Sequence, residues 1–188
     1  RTNAGAALIV FDVVFAEPDR TSPARLMQDW KRIADPESLD RIRTVSASLP
    51  DHDDVLAKTL SQTAAILGFV MFDEVNDKRP AKTFGMAMLG DNATEFVPTF
   101  SGAAVNLPVL SANALGEASF NSVPDSDNIV RRVPLFVGLD GQIYPTLVAV
   151  TLRIAQGAST FRINASCASG AQSFGDNNGL TATSNDGF

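Results

Sequence analysis

The sequence has few of the side chains that build disulfide-linked or metal-linked folds. Its 188 residues include one cysteine, Cys167, and one histidine, His52. A single cysteine cannot form an internal disulfide, and this pair alone cannot supply the ligands of a structural zinc site. Cys167 lies in a polar segment, where a free thiol without a role is favoured over a reactive one.

Common catalytic and phosphate-binding motifs are also missing. The chain has no Gly-x-Ser-x-Gly, no Walker A loop and no Gly-x-Gly-x-x-Gly. The sequence therefore indicates neither a nucleophile elbow nor a phosphate cradle. His52 is flanked by Asp51 and Asp53 at a predicted helix start, which is typical of an exposed residue rather than a catalytic base.

Charge and hydropathy exclude further classes. The formal net charge is −6, the pI is near 4.7, and no more than two basic residues are adjacent. Nucleic acids and anionic membrane surfaces are therefore not expected partners. No apolar run approaches the ~18 residues that cross a bilayer, and the first residues do not resemble a signal peptide. With 45% hydrophobic residues, the chain is expected to bury one core, as a soluble fragment of a longer protein would.

The first half of the chain predicts a strand, three helices and a second strand. Residues 7–15 are apolar apart from Asp12, which is typical of a central strand covered on both faces. Helix-start signals stand at Ser22-Pro23, Asp35-Pro36 and Asp51. Residues 65–72 are short, apolar and bounded by polar residues, so we expect a strand that is parallel to the first.

The only tryptophan lies in the first predicted helix. Trp30 follows Leu26 by four residues and precedes Ile33 by three, so the three share one helical face. A ligand can stack on an exposed indole, but this spacing favours a core position.

The second half predicts shorter elements. Residues 73–98 are expected to form a loop with fragments of strand, and Pro108 argues against a long helix in residues 103–115. Asp140-Gly141 predicts a type I′ hairpin turn between a strand over residues 129–137 and a strand over residues 142–144. Pro145 and Gly157 bracket a predicted helix over residues 146–156. Residues 164–188 are polar and are expected to be flexible or to form an edge segment. The predicted fold is one α/β domain with a mixed sheet flanked by helices.

An acidic turn followed by a basic pair is the most distinctive motif. Pro124-Asp125-Ser126-Asp127-Asn128 predicts a tight turn, and Ile129-Val130-Arg131-Arg132-Val133-Pro134 follows it. Gly116, Asp125, Asp127, Ile129, Val130, Arg131, Arg132 and Pro134 resemble the signature of CHASE2 domains, with Asn128 in place of the turn glycine. A second stretch, residues 9–20 (Ile-Val-Phe-Asp-Val-Val-Phe-Ala-Glu-Pro-Asp-Arg), is similar to the strand and acidic loop of the same family. The resemblance covers residues 6–157.

The resemblance implies a non-enzymatic sensor. CHASE2 domains are extracytoplasmic modules of bacterial receptors. By resemblance this chain would be the periplasmic domain of an inner-membrane receptor that responds to a small-molecule or environmental signal by a shift between conformations. The output would be an adenylate or guanylate cyclase, which residues 9–20 favour, or else a histidine or serine/threonine kinase. Residues 1–163 would form the domain, and no cofactor is implied.

The same resemblance bears on the N-terminus. CHASE2 domains carry a further strand and helix ahead of the first strand found here. We therefore expect a truncated domain that forms dimers or aggregates through an unpaired strand edge.

The acidic residues have two interpretations. Parallel strands end at one edge of a sheet, where ligands bind in open α/β folds. Asp12, Glu17, Asp19, Asp125 and Asp127 are thus candidates for binding a divalent cation or a cationic ligand, and Arg20 and Arg131 are candidates for binding an anionic group. The alternative is a structural turn with Asp–Arg pairing, which we favour, and no metal site is predicted. In a competing class, Asp12, Asp19, Asp125 and Asp127 would serve a small α/β enzyme.

Overall fold

The computed structural model describes residues 5–32, 35–81, 84–89, 92–165 and 180–184. Strands and helices are mixed along the chain, and the predicted α/β class is confirmed. The elements are β1 (Ile9–Phe11), α1 (Pro23–Trp30), α2 (Pro36–Ser46), α3 (His52–Ser61), β2 (Ala65–Phe72), β3 (Met86–Leu89), a 3₁₀ turn (Ala93–Phe96), β4 (Thr99–Phe100), β5 (Gly102–Ala104), α4 (Pro108–Asn113), β6 (Gly116–Ser119), β7 (Phe136–Leu139), β8 (Gln142–Pro145), α5 (Leu147–Ala155), β9 (Phe161–Ala165) and β10 (Leu180–Ser184).

Strand β2 is the centre of the main sheet. Its first half pairs in parallel with β1 on one side and with β6 on the other, because Ile66 and Leu67 have partners in both strands. Its last three residues pair antiparallel with β5. Ile66, Leu67 and Phe69 are fully buried, which agrees with an apolar run covered on both faces. The predicted parallel pairing across the three helices is confirmed.

Two smaller sheets complete the described β-structure. One has the order β10-β9-β3 and the other β4-β7-β8. A parallel bridge between Ser119 and Thr146 connects the end of β6 to the start of α5. Phe69 packs edge-on against Tyr144 with ring centroids 5.9 Å apart, so the core continues from the main sheet into the hairpin.

The helix-start signals are confirmed. Pro23 and Pro36 occupy the first turns of α1 and α2, and the Asp35 carboxylate accepts a hydrogen bond from the Ser38 amide. The Asp51 carboxylate likewise accepts from the Asp53 amide at the start of α3. These side chains satisfy amides that have no partner inside the helix. Helix α5 ends before Gly157, whose φ of 71° is the left-handed conformation predicted there.

The hairpin prediction is confirmed at its turn. Asp140 and Gly141 have φ angles of 50° and 72°, as a type I′ turn requires. They connect β7 to β8 in an antiparallel pair.

Two strand predictions are wrong in extent. Strand β1 is three residues long, and Ile9 and Val10 are 36% and 37% exposed, so it is not a central strand covered on both faces. The strand predicted over residues 129–137 begins only at Phe136, and Ile129, Val130 and Val133 are about half exposed. β-branched residues favour strands only where a partner strand or a core is available to them.

Two further predictions concern the tail and the tryptophan. Residues 180–184 form β10, which pairs with β9 at the edge of its sheet. The expectation for residues 164–188 as a whole stays a prediction, because residues 166–179 and 185–188 lie outside the described ones. Trp30 is 37% exposed rather than buried, and Ile33, predicted on the same face, lies outside the described residues, as does Cys167.

Candidate functional site

The acidic turn is closed by its own backbone and side chains. The Asp125 amide donates to the Ile129 carbonyl at 3.1 Å, and the Asn128 amide donates to the Asp125 carbonyl at 2.9 Å. The Asp127 carboxylate accepts from the Ile129 amide at 3.1 Å. Asn128 adopts a φ of 60°, a conformation that Asn tolerates better than most residues. Asn128 therefore fills the place of the turn glycine.

Arg131 is held by both aspartates of the turn. Its guanidinium donates to the two carboxylate oxygens of Asp127 at 2.9 and 2.7 Å and to Asp125 at 3.2 Å. The Arg131 hydrogen bond is the main cause that lowers the pKa of Asp127, with the Ile129 amide adding to it. The pKa of Arg131 is raised by Asp127 first and Asp125 second. These contacts match the structural interpretation of the motif.

The segment after the turn is open to solvent. The Arg132 side chain is 86% exposed and its nearest contact with Asp125 is 3.8 Å. Val133 and Leu135 are 49% and 43% exposed. The turn therefore presents an extended apolar segment rather than a closed cleft.

A second polar cluster ties the loop after β1 to the start of α3. The Asp19 carboxylate accepts from the amide and hydroxyl of Thr21 at 2.7 and 2.6 Å, and Nδ1 of His52 lies 3.2 Å from the same hydroxyl. The Thr21 hydrogen bonds are the main cause that lowers the pKa of Asp19, and nearby His52 lowers it further. The buried hydroxyl of Ser22 donates to Asp51 and accepts from the His52 amide. His52 is about half exposed at a helix start, as predicted.

The structure forms two separate acidic groups rather than a metal site. Asp125 and Asp127 lie with Arg131, and Asp19 lies with His52. Asp12, Glu17 and Arg20 are exposed. Across the described ranges, no group of three or more His, Cys, Asp or Glu side chains can hold a metal ion. A divalent cation bound jointly by the five carboxylates is therefore not supported, whereas binding of an organic ligand by the seven candidates stays a prediction.

The most buried charged side chain was missed by sequence reasoning. Glu117 on β6 is 1% exposed. Its carboxylate accepts from Asn106 Nδ2 at 2.8 Å, from Ser111 Oγ at 2.7 Å and from the Ala81 amide at 2.9 Å. Asn106 also donates to the Gly68 carbonyl and accepts from the Phe15 amide.

A sequence signal for this network exists. Glu117 is the only charged residue between Glu95 and Asp125. A lone carboxylate in an apolar stretch must be buried with partners or stand at the surface. The network joins Glu117 on β6 to Gly68 in the middle of β2, to Phe15 in the loop after β1 and to Ser111 on α4.

Asn121 makes a smaller buried network between β6 and the turn. Its side-chain amide donates to the Met71 carbonyl at 2.7 Å and accepts from the Met71 amide at 2.8 Å. The Ser119 hydroxyl donates to the same side chain at 2.8 Å. Asn121 thus continues the β6–β2 pairing through its side chain, and it fixes where the segment that leads to Asp125 leaves the sheet.

Comparisons with known proteins identify the family. No curated protein and no solved structure matches the chain. None of the helices in the described ranges is both long enough and apolar enough to span a bilayer. The sequence profile of the CHASE2 domain matches residues 2–184, nearly the whole chain. The chain therefore belongs to the CHASE2 domain family, which is a family of extracytoplasmic sensor domains rather than of enzymes.

Proposed function

We propose that this domain is the periplasmic sensor of an inner-membrane bacterial receptor and that it regulates an intracellular output domain through a ligand-dependent shift between conformations. The output is an adenylate or guanylate cyclase, with a kinase as the second choice. The family match over residues 2–184 carries the proposal. The similarity of residues 9–20 to cyclase-linked CHASE2 domains supports the choice of output.

The polar contacts of the two acidic groups do not form a catalytic arrangement. Asp125 and Asp127 both engage Arg131, so the carboxylates of the turn are paired acceptors and not a free acid and base. The Thr21 hydroxyl and Asp19 both approach Nδ1 of His52. A nucleophile–base–acid relay needs its two partners on different ring nitrogens. The described contacts therefore do not support the enzymatic alternative.

The test of the proposed function uses the full-length receptor. Its gene is expressed in a bacterial host that lacks its own cyclases, and cyclic nucleotide is measured while metabolites, metal ions and pH are varied outside the inner membrane. We expect one of these signals to change the output of the receptor. The same signal should raise the melting temperature of the isolated domain, because a ligand that binds the folded state stabilises it.

A matched receptor separates sensing from output. In it, this domain is replaced by an unrelated periplasmic domain that the signal does not bind. The signal should then leave the output unchanged. A full-length chain without membrane-spanning segments, or turnover of a substrate by the isolated domain that Asp12→Asn abolishes, would overturn the proposal.

A further inference from the structure

Helices α1 and α2 enclose an apolar groove that the polar motifs do not use. The groove has a volume of about 470 Å³. Its walls are Pro23, Leu26 and Trp30 from α1 and Ile42, Val45 and Leu49 from α2 and the turn after it. In both walls these residues recur at intervals of three or four, as the apolar stripe of a helix does.

The groove is open to solvent along α2. No residue of α2 is buried, whereas α1 buries Met27, which belongs to the same helical stripe as Pro23 and Trp30. Trp30, Val45 and Leu49 are 37%, 64% and 54% exposed. A soluble domain rarely leaves several large apolar side chains in contact with water along one concavity without a use for it.

One charged side chain lies at the groove. Arg41 lines it, and its guanidinium contacts the Glu37 carboxylate at 2.6 Å. Both side chains are more than three-quarters exposed, so this pair along the helix is weak and an incoming acid can exchange with Glu37. The groove therefore offers an apolar surface to a ligand, and the Arg41 guanidinium offers one exchangeable cationic contact.

We infer that the groove binds a free, monomeric amphiphile with an apolar aliphatic or aromatic body and a single acidic group, which contacts Arg41. This inference rests on the proposed sensor function and names the chemistry of its ligand. The volume falls in the range of small-molecule sites. The nearly complete absence of polar lining fits an apolar body, and the one cation fits one acidic group.

Other occupants match the groove less well. In a twofold dimer the same patch faces itself, and two facing concave grooves leave an unfilled space between them. A concave site does not match the flat surface of a bilayer. A single convex small molecule satisfies both shape and charge.

Trp30 makes the test direct because it is the only tryptophan of the chain. The purified protein is titrated with decanoate below its micelle concentration, and Trp30 emission is recorded. We expect a saturable shift with one-site behaviour. The neutral analogue 1-decanol should bind several-fold more weakly, because it offers Arg41 no charge.

Matched variants locate the site. Val45→Asp places a charge in the groove and should weaken decanoate binding about tenfold or more. Val148→Asp alters a similarly exposed valine on α5 and should leave binding unchanged. Arg41→Ala should remove the preference for decanoate over decanol, and the exposed-arginine control Arg132→Ala should retain it. Circular dichroism and melting temperature confirm that each variant is folded.

Four results of the titration experiments would overturn the inference. They are no change in Trp30 emission up to about 1 mM decanoate, equal effects of Val45→Asp and Val148→Asp, binding to vesicles of anionic phospholipid without binding of monomeric decanoate, and a dimer in solution that Val45→Asp dissociates. A signal that stabilises the domain without moving Trp30 emission would overturn the groove assignment and leave the sensor function intact. Saturable decanoate binding that leaves receptor output unchanged would retain the groove and count against the sensor function.

Discussion

At the scale of single residues, the buried carboxylate of Glu117 matters more for stability than the exposed acidic turn. Glu117 accepts three hydrogen bonds inside the protein, whereas Asp127 and Arg131 are each about half exposed. Solvent weakens the exposed ion pair, so it contributes little to stability. Buried donors that lose their acceptor each cost about 1–3 kcal/mol.

Replacing Glu117 therefore tests the buried network. Glu117→Ala leaves Asn106, Ser111 and the Ala81 amide without their acceptor, and we expect the free energy of unfolding to fall by about 3 kcal/mol or more. Glu117→Gln keeps the shape but turns a donor toward one of these donors, so the loss should be about 1–2 kcal/mol. Urea denaturation measures both values. Equal losses in the two variants would show that lost packing, and not the carboxylate, is responsible.

The lowered pKa values of two aspartates predict how the stability of the domain changes in acid. The pKa of Asp127, with its Arg131 hydrogen bonds, and the pKa of Asp19, with its Thr21 hydrogen bonds, are lowered in the folded state. Their stabilisation is therefore fully present above the unfolded pKa of about 3.9 and is lost as pH falls through the lower folded pKa. We expect stability to decline from about pH 4 downwards.

The matched variants for this prediction differ in one carboxylate. The side chain at position 127 of the Asp127→Asn variant cannot titrate. The stability of this variant should therefore decline less steeply below about pH 4 than the stability of the native chain. Asp73→Asn, at an exposed aspartate outside the turn, should keep the native slope. The measurement is a series of urea midpoints against pH, and parallel curves for all three proteins would contradict the assignment.

At the scale of elements, the sequence predicted the helix ends and the hairpin turn, because contacts within a few residues determine them. Side-chain caps at Asp35 and Asp51 and the left-handed Gly157 mark helix ends through contacts within a few residues. The Asp140-Gly141 turn is equally local. Residues 129–135 were predicted as strand from their β-branched side chains, and the described structure gives them no partner strand. Whether a β-branched segment becomes a strand depends on its pairing with distant strands, and a single sequence does not reveal that pairing.

The same distinction holds for the candidate site, where contacts between near neighbours were predicted and contacts between distant residues were not. The Asp–Arg turn was predicted from adjacent residues and is present. The network around Glu117 joins residues that are up to 91 positions apart, because the Phe15 amide donates to Asn106. The groove at Trp30 depends on how α2 packs against α1, and helical spacing alone cannot separate a core stripe from a stripe that faces an open groove.

The hairpin between β7 and β8 offers a test at this scale. Gly141 has a φ of 72° and no atom near the position that a Cβ would take. Gly141→Ala should therefore cost about 1 kcal/mol through backbone strain alone. Gly85→Ala is the control, because its Cβ would meet only the Thr160 side chain at 3.5 Å or more and its φ is not positive. Equal melting temperatures for the two variants would contradict a left-handed Gly141.

At the scale of the whole molecule, the described strands are divided among three small sheets whose members come from distant parts of the chain. Strand β9 stands between β3 and β10. It buries Phe161 and Ile163, and the Phe161 ring packs edge-on against Phe136 at 5.3 Å. The division at residue 163 expected from composition falls inside β9, which spans Phe161–Ala165 and pairs with β10. The family match extends to residue 184 and therefore covers both strands.

The last prediction tests this pairing. Strand β10 pairs with β9 over five residues, from Leu180 opposite Ala165 to Ser184 opposite Phe161. A chain that ends at residue 165 loses the backbone hydrogen bonds of this pair, and we expect about 2 kcal/mol or more of stability to be lost. The exposed edge of β9 should also promote aggregation, which light scattering detects. A control chain keeps residues 180–184 and replaces residues 166–179 by a Gly/Ser segment of equal length; it should approach native stability, because the pairing strand is retained. If the shortened chain is as stable and as monodisperse as the native one, β10 does not belong to the domain and the composition boundary is right.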